Sequence, residues 1–258
     1  MKDLYSFTVS FNMPNSKKKE KVDIVIKKPN HSMVEDGEFY FASKFNEYLN
    51  AGFLSKAMVQ KKLSDLGGAL GKSSEENITN EITNIFDAQR IVQFYSSSSD
   101  EELTEEQKLK LTKAKKLLAK SQKTLVEYNI NVSSMFNQTA DVKAQEKLIK
   151  WFALFCSYYK ETLGEKSREF ELFEGGTLKD KEVFYSKILD EEYDEKDLDV
   201  YKKAQIIKEA ASTIGKAIAI WYNGLGDDQK TVKEQIEHLE KEEKESNNII
   251  LSEDEENE

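Results

Sequence analysis

The stretch GGALGKSS, residues 67–74, comes nearest to recognisable chemistry. Backbone amides of a glycine-rich loop can wrap phosphates, with a lysine completing the charge, when a glycine, four residues and then Gly-Lys-Ser follow a buried strand. Counting back from Gly71 puts Leu66 at the first glycine position, and Gly67 stands one place too late. The segment before it, Ser55 to Leu66, has helical spacing, so the glycines read as a helix terminator. DEEYDEKDLD, residues 190–199, offers alternating acids for a calcium loop. Its sixth position is Glu195 where the turn needs glycine, and its twelfth is Tyr201 where a bidentate glutamate belongs. A solvated acidic connector fits better. His31, His238 and Cys156 are the only residues of their types and are widely separated, so no zinc set or cysteine–histidine pair is expected. No catalytic, metal-binding or cofactor-binding residue emerges, and the chain is expected not to be an enzyme.

Charge is distributed unevenly. The net charge is −10. From Glu237 onward ten acids stand against Lys241 and Lys244, a local −8, which leaves a nearly neutral body. Lys17, Lys18, Lys19, Lys21, Lys27 and Lys28, offset by Glu20 and Asp23, make the first hairpin basic. An acidic tail of this kind is attracted to such a patch, on its own chain or a neighbour's. A third feature is Lys108, Lys110, Lys113, Lys115, Lys116, Lys120 and Lys123, a run without an acid. Such clusters can track phosphates. With no arginine and no interleaved aromatics, it reads first as the solvated face of a helix whose other face carries Leu111 and Leu118.

The elements that would carry these residues are mostly helical, because only 2 prolines and 11 glycines interrupt the chain. The beginning differs. Tyr5, Phe7, Val9 and Phe11 alternate with polar residues, as do Val22, Ile24 and Ile26, which is the period of half-buried strands. Helices are expected from a capping box at Ser32–Glu35 to about Leu49, over 55–66, 74–95, 100–128 and 142–163, in a short piece before Leu189, and over 200–222. An exposed helix to about Glu245 follows. The run at 148–159 is too short to cross a bilayer and contains Lys150. The N-terminus lacks the apolar core of a signal peptide. The expected fold is mainly α, with an N-terminal two-stranded β-hairpin packed on a multi-helix bundle. Expected domains are 1–95, a helical domain 100–245, and an acidic disordered tail 246–258.

Two stretches, VDIVIKKPNHSMVEDGEFYFASKFNEYLNAGFLSKAMVQKKLSDLGG from Val22 and LFEGGTLKDKEVFYSKILDEE from Leu172, resemble structural or assembly proteins of large contractile-tailed bacteriophages. The resemblance implies a virion or tail-assembly role, with location in the virion or host cytoplasm, and transfers no catalytic residues. Partners would be other phage structural proteins or copies of the chain itself. A tail-assembly chaperone, or a nucleic-acid-handling protein using Lys108 to Lys123, is the alternative. A lone hairpin needs cover on its apolar face and has edges that can accept a strand. Phe7, Val9, Phe11, Val22, Ile24 and Ile26, with Lys17, Lys18 and Lys19, are therefore the candidate partner-binding residues, docking in cis on helices or in trans on a neighbour.

Overall fold

The computed structural model describes residues 1–13, 19–65, 72–96, 104–163, 166–194 and 196–241. Alternation does produce strands at the start: β1 (Asp3–Asn12) and β2 (Lys19–Lys27) pair antiparallel, with Val9 opposite Val22 and Phe7 opposite Ile24. The sheet does not end there. Two further strands, β3 (Ser157–Leu163) and β4 (Lys166–Glu171), complete the order β1-β2-β3-β4, all antiparallel. This corrects the two-stranded expectation and shortens the helix expected over 142–163. The segment SYYKETL has tyrosines and a threonine suited to a pleated surface. It leaves the helical pattern because it finds a partner in β2, where Ile24 stands opposite Tyr159 and Val25 opposite Tyr158.

Helices make up most of the rest. They are α1 (His31–Asn50), α2 (Lys56–Asp65), α3 (Lys72–Ser96), α4 (Glu105–Asn137), α5 (Ala140–Cys156), α6 (Leu178–Leu189) and α7 (Leu198–Tyr222), followed by α8 over 229–241. Local signals set most of their ends. Thr104 and Gln107 form a reciprocal capping box at α4, and Thr177 and Asp180 form another at α6. Asp197 accepts from the amides of Asp199 and Val200 to start α7. At α1 the expected cap moves: the Asn30 side chain, not Ser32, accepts from the Met33 amide at 2.9 Å.

The chain forms two units that are not contiguous segments, Met1–Ala42 with Gln145–Glu258, and Ser43–Ala144. This division differs from sequential domains 1–95 and 100–245. The chain leaves the first unit within α1 and returns to it within α5. The expected acidic tail, 246–258, lies outside the described residues.

In the first unit, α7 packs across β1 and β2. Ala204, Ile207, Ala210, Ile214, Ala217 and Ile218 recur at spacings of three and four and are buried. Each fully buried isoleucine contributes about 1.5–3 kcal/mol of gross burial energy. The helices carrying Trp151 and Trp221 meet through Phe152, whose ring centroid lies 5.1 Å from one and 5.3 Å from the other. Helix α8, expected to be exposed, instead buries Val232 and Ile236, one turn apart, in the same core.

The second unit is built on an antiparallel pair, α3 and α4. On α3 the residues turned inward are Ile78, Glu81, Ile85, Ala88, Val92 and Tyr95. On α4 they are Gln107, Leu111, Ala114, Leu118, Ser121, Leu125, Tyr128 and Val132. Steps of three and four alternate along both helices, which is the seam of a coiled-coil hairpin. In the sequence the seam looks shorter, because Gln107, Ser121 and Glu81 hide polar types among its apolar positions. Ser121 is fully buried beside the Glu81 carboxylate.

Candidate docking surface

All six apolar hairpin candidates turn inward. Val9, Phe11, Val22, Ile24 and Ile26 are buried in the core of the first unit, and Phe7 is half-buried against it. Their side chains hold the sheet to the helices of their own chain. Lys19 begins β2 and is exposed, while Lys17 and Lys18 lie outside the described residues. What the sheet presents outward is a polar face and two edges.

The outer face is a lattice of paired charges. Thr8 donates to Asp23 at 2.6 Å, and the Lys27 ammonium bridges to Glu169 at 2.5 Å while lying 4.6 Å over the Tyr158 ring. Lys160 approaches Glu169 at 3.5 Å. On the helix-covered side of β3, Lys202 of α7 pairs with Glu161. An open depression of about 880 Å³ lies here, lined by Thr8, Ser10, Lys21, Asp23, Lys160 and Lys202 among others. Its charges neutralise one another, and neither histidine nor the cysteine reaches it. The arrangement stabilises a solvated surface.

A smaller cavity of about 260 Å³ between α5, α6 and α7 is apolar, floored by Leu154, Phe173 and Ile214. Lys150 stands at it, 5.1 Å over the Tyr185 ring and 3.9 Å from Glu182. Burial lowers the pKa of this ammonium, and Glu182 partly restores it. Gly215, in mid-helix, leaves open space on this wall.

The remaining candidates resolve into structure. His31 opens α1 and is exposed, and His238 is exposed on α8. Burial pushes the Cys156 thiol up to about 12, which keeps it from acting as a thiolate. In the acidic connector, Glu191 pairs with Lys208 at 2.6 Å, Asp194 accepts from the Lys196 amide, and Asp197 caps α7. The acids there close turns. Most of the phosphate-loop lookalike, 66–71, lies outside the described residues. The lysines of α4 occupy the side away from the seam and are mostly exposed, with Lys108 and Lys110 near Glu105 and Glu106.

The two sheet edges are unlike. β4 is short and carries Arg168, Glu169 and Glu171, the usual protection against strand addition. β1 has ten residues, and from Leu4 to its end at Asn12 it carries no charge and no proline. One contact covers part of it. The Gln229 amide accepts from the Ser6 N–H at 2.7 Å and donates to the Ser6 carbonyl at 2.9 Å, in the manner of a paired strand. No sequence signal links these residues, which lie 223 positions apart.

Ionic pairing gives the chain a pH profile with a definite sign. Hydrogen bonds from Lys27, Thr177, Lys208 and Thr231 lower the carboxyl pKa of Glu169, Asp180, Glu191 and Asp228 respectively, below ordinary values of 4.5 and 3.8. A depressed folded pKa contributes stability that is present above the unfolded value and lost as pH falls through the folded one. Burial raises Cys156 from 9.0 and Tyr159 from 10.0, each to about 12, so stability present below pH 9 is lost as pH rises toward 12. Urea midpoints should therefore be flat from pH 5 to 9 and fall on both sides, and a midpoint unchanged down to pH 3 would contradict the acidic limb.

No protein-family model, curated protein or solved structure matches the chain.

Proposed function

We propose that this chain is a non-enzymatic structural or tail-assembly protein of a tailed bacteriophage, acting by docking onto other proteins. The observation that supports docking is the edge of β1, long, uncharged from Leu4 onward and, among the described residues, occupied at Ser6 alone. Exposed apolar side chains on the helices, Phe39, Phe86 and Phe94 at 79%, 67% and 73%, favour the same reading, since large exposed aromatics are contact material. The phage assignment rests on the sequence resemblance of residues 22–68 and 172–192.

Quantitative mass spectrometry of purified particles tests it. A fixed integer copy number relative to the major tail proteins is the result expected of a structural subunit. Abundance in the infected cell with absence from particles would instead make it an assembly chaperone. A second reading, nucleic-acid handling, draws on the exposed lysines of α4. It requires DNA affinity that falls steeply with salt, with a slope reduced by about one for each phosphate-contacting lysine removed. Affinity insensitive to Lys113, Lys116, Lys120 and Lys123 would remove that reading.

A further inference from the structure

We infer that the free edge of β1 is where two copies of this chain meet, in an antiparallel two-fold pairing centred on Ser10. The inference rests on the docking reading above and names the partner as a second copy. Gln229 sets the direction of the edge: both main-chain groups of Ser6 point to it and away from β2. Backbone groups alternate in direction along an antiparallel strand. Thr8, Ser10 and Asn12 therefore present their N–H and C=O groups on the same side as Ser6, and all three residues are exposed. Among the described residues, no backbone group of another segment pairs with them on that side.

This free run is self-complementary. With Ser10 on the two-fold axis, Ser10 meets the partner's Ser10, Thr8 meets the partner's Asn12, and Val9 meets the partner's Phe11. The next match would set Ser6 against position 14. That position is proline, which has no N–H to give, and Ser6 is the residue whose edge groups Gln229 already holds. One symmetry operation thus accounts for both limits of the free run. A strand from an unrelated protein would have no reason to match both. Three hydrogen-bonded residue pairs supply roughly six backbone bonds between the copies. No like charges face each other, because Leu4 to Met13 carries none. The two sheets would join into one, and a contact this small gives a dissociation constant on the order of micromolar.

Proline at Val9 or Ile24 cannot test this, because Val9 bonds toward β2 and Ile24 lies in a strand paired on both sides. The informative position is Ser10, whose side chain is exposed and meets its own copy. In sedimentation equilibrium of the full chain, the wild type should dimerise across a dilution series. Ser10→Lys and Ser10→Glu should each raise the dissociation constant by about tenfold or more, because like charges then stand directly opposite. An equimolar mixture of the two variants should dimerise again. Unchanged circular dichroism secures the fold of each variant. As a second measurement, Ser10→Cys should oxidise to a covalent dimer with oxidised glutathione, whereas Thr8→Cys should not. A monomeric wild type, variants that still dimerise, or a mixture that fails to recover would each overturn the pairing. A monomeric wild type leaves the docking reading standing, since incorporation into particles is measured separately by copy number.

Discussion

Phe152→Ala should lower the stability of the first unit by about 3–5 kcal/mol, the cost of removing a fully enclosed aromatic ring. Phe152 is 1% exposed and sits where three helices converge. Its ring tip lies over Gly37 of α1, so closely that a Cβ there would be 2.7 Å from Cζ. On the other sides it meets Trp151 of α5 and Trp221 of α7. These neighbours belong to rigid helices and cannot collapse into the space, which places the cost at the upper part of the range for large-to-small changes. Both tryptophans of the chain adjoin the ring, so tryptophan fluorescence during urea unfolding reads this unit directly. Phe39→Ala, on the same helix as Gly37 but largely exposed, should shift stability by no more than about 0.5 kcal/mol. A loss under about 1 kcal/mol for Phe152→Ala would mean that the ring is not the keystone of the three helices. Gly37→Ala supplies the complement: it should be harmful in the wild type and nearly harmless once Phe152 is alanine.

Gly175→Ala is the second large effect, about 2–4 kcal/mol, from backbone strain and a clash together. Gly175 has φ of +124°, a conformation side chains disfavour, and its added Cβ would lie 2.4 Å from the Cβ of Asp180 and 2.9 Å from the Lys181 amide nitrogen. The obstacle is the backbone of the first turn of α6, which cannot rotate away. Displacing that turn disturbs the Thr177–Asp180 capping box. It also disturbs Lys181, a residue only 3% exposed, whose ammonium is bonded to Glu171 at 2.6 Å and to the Phe173 carbonyl at 2.8 Å. A buried ammonium deprived of its partners is costly. Gly176→Ala is the control, because its Cβ would meet open space. Equal thermal shifts for the two variants would show that the close approach at Gly175 carries no weight.

Much of the local structure was legible in contiguous residues. The alternation of Tyr5 to Phe11 and of Val22 to Ile26 specifies strands, and the isoleucine–alanine spacing of α7 specifies a buried helix. The Thr104–Gln107 box starts α4 without help from any other segment. Each of these signals acts over a few residues, where backbone geometry and solvent decide together. The lysine face of α4 was equally readable, because helical spacing alone puts it away from Leu111 and Leu118.

Pairings between distant segments were decided only by the tertiary structure. SYYKETL continues an apolar run that fits helix or strand equally, and pairing with β2 resolves it. The length of the α3–α4 seam depends on Ser121 and Glu81 being acceptable inside it, which their residue types do not advertise. The units Met1–Ala42 with Gln145–Glu258 and Ser43–Ala144 follow from which surfaces bury each other, not from breaks in composition. The same is true of the site. The sequence by itself determined that β1 would be a strand uncharged from Leu4 onward, with a proline shortly after it. Only the fold decided that its apolar side chains face inward, that β3 covers the other side of β2, and that Gln229 closes the edge at Ser6. The physical reason is range: periodicity records which face of a segment avoids water, whereas an edge exists only when every strand has taken its place.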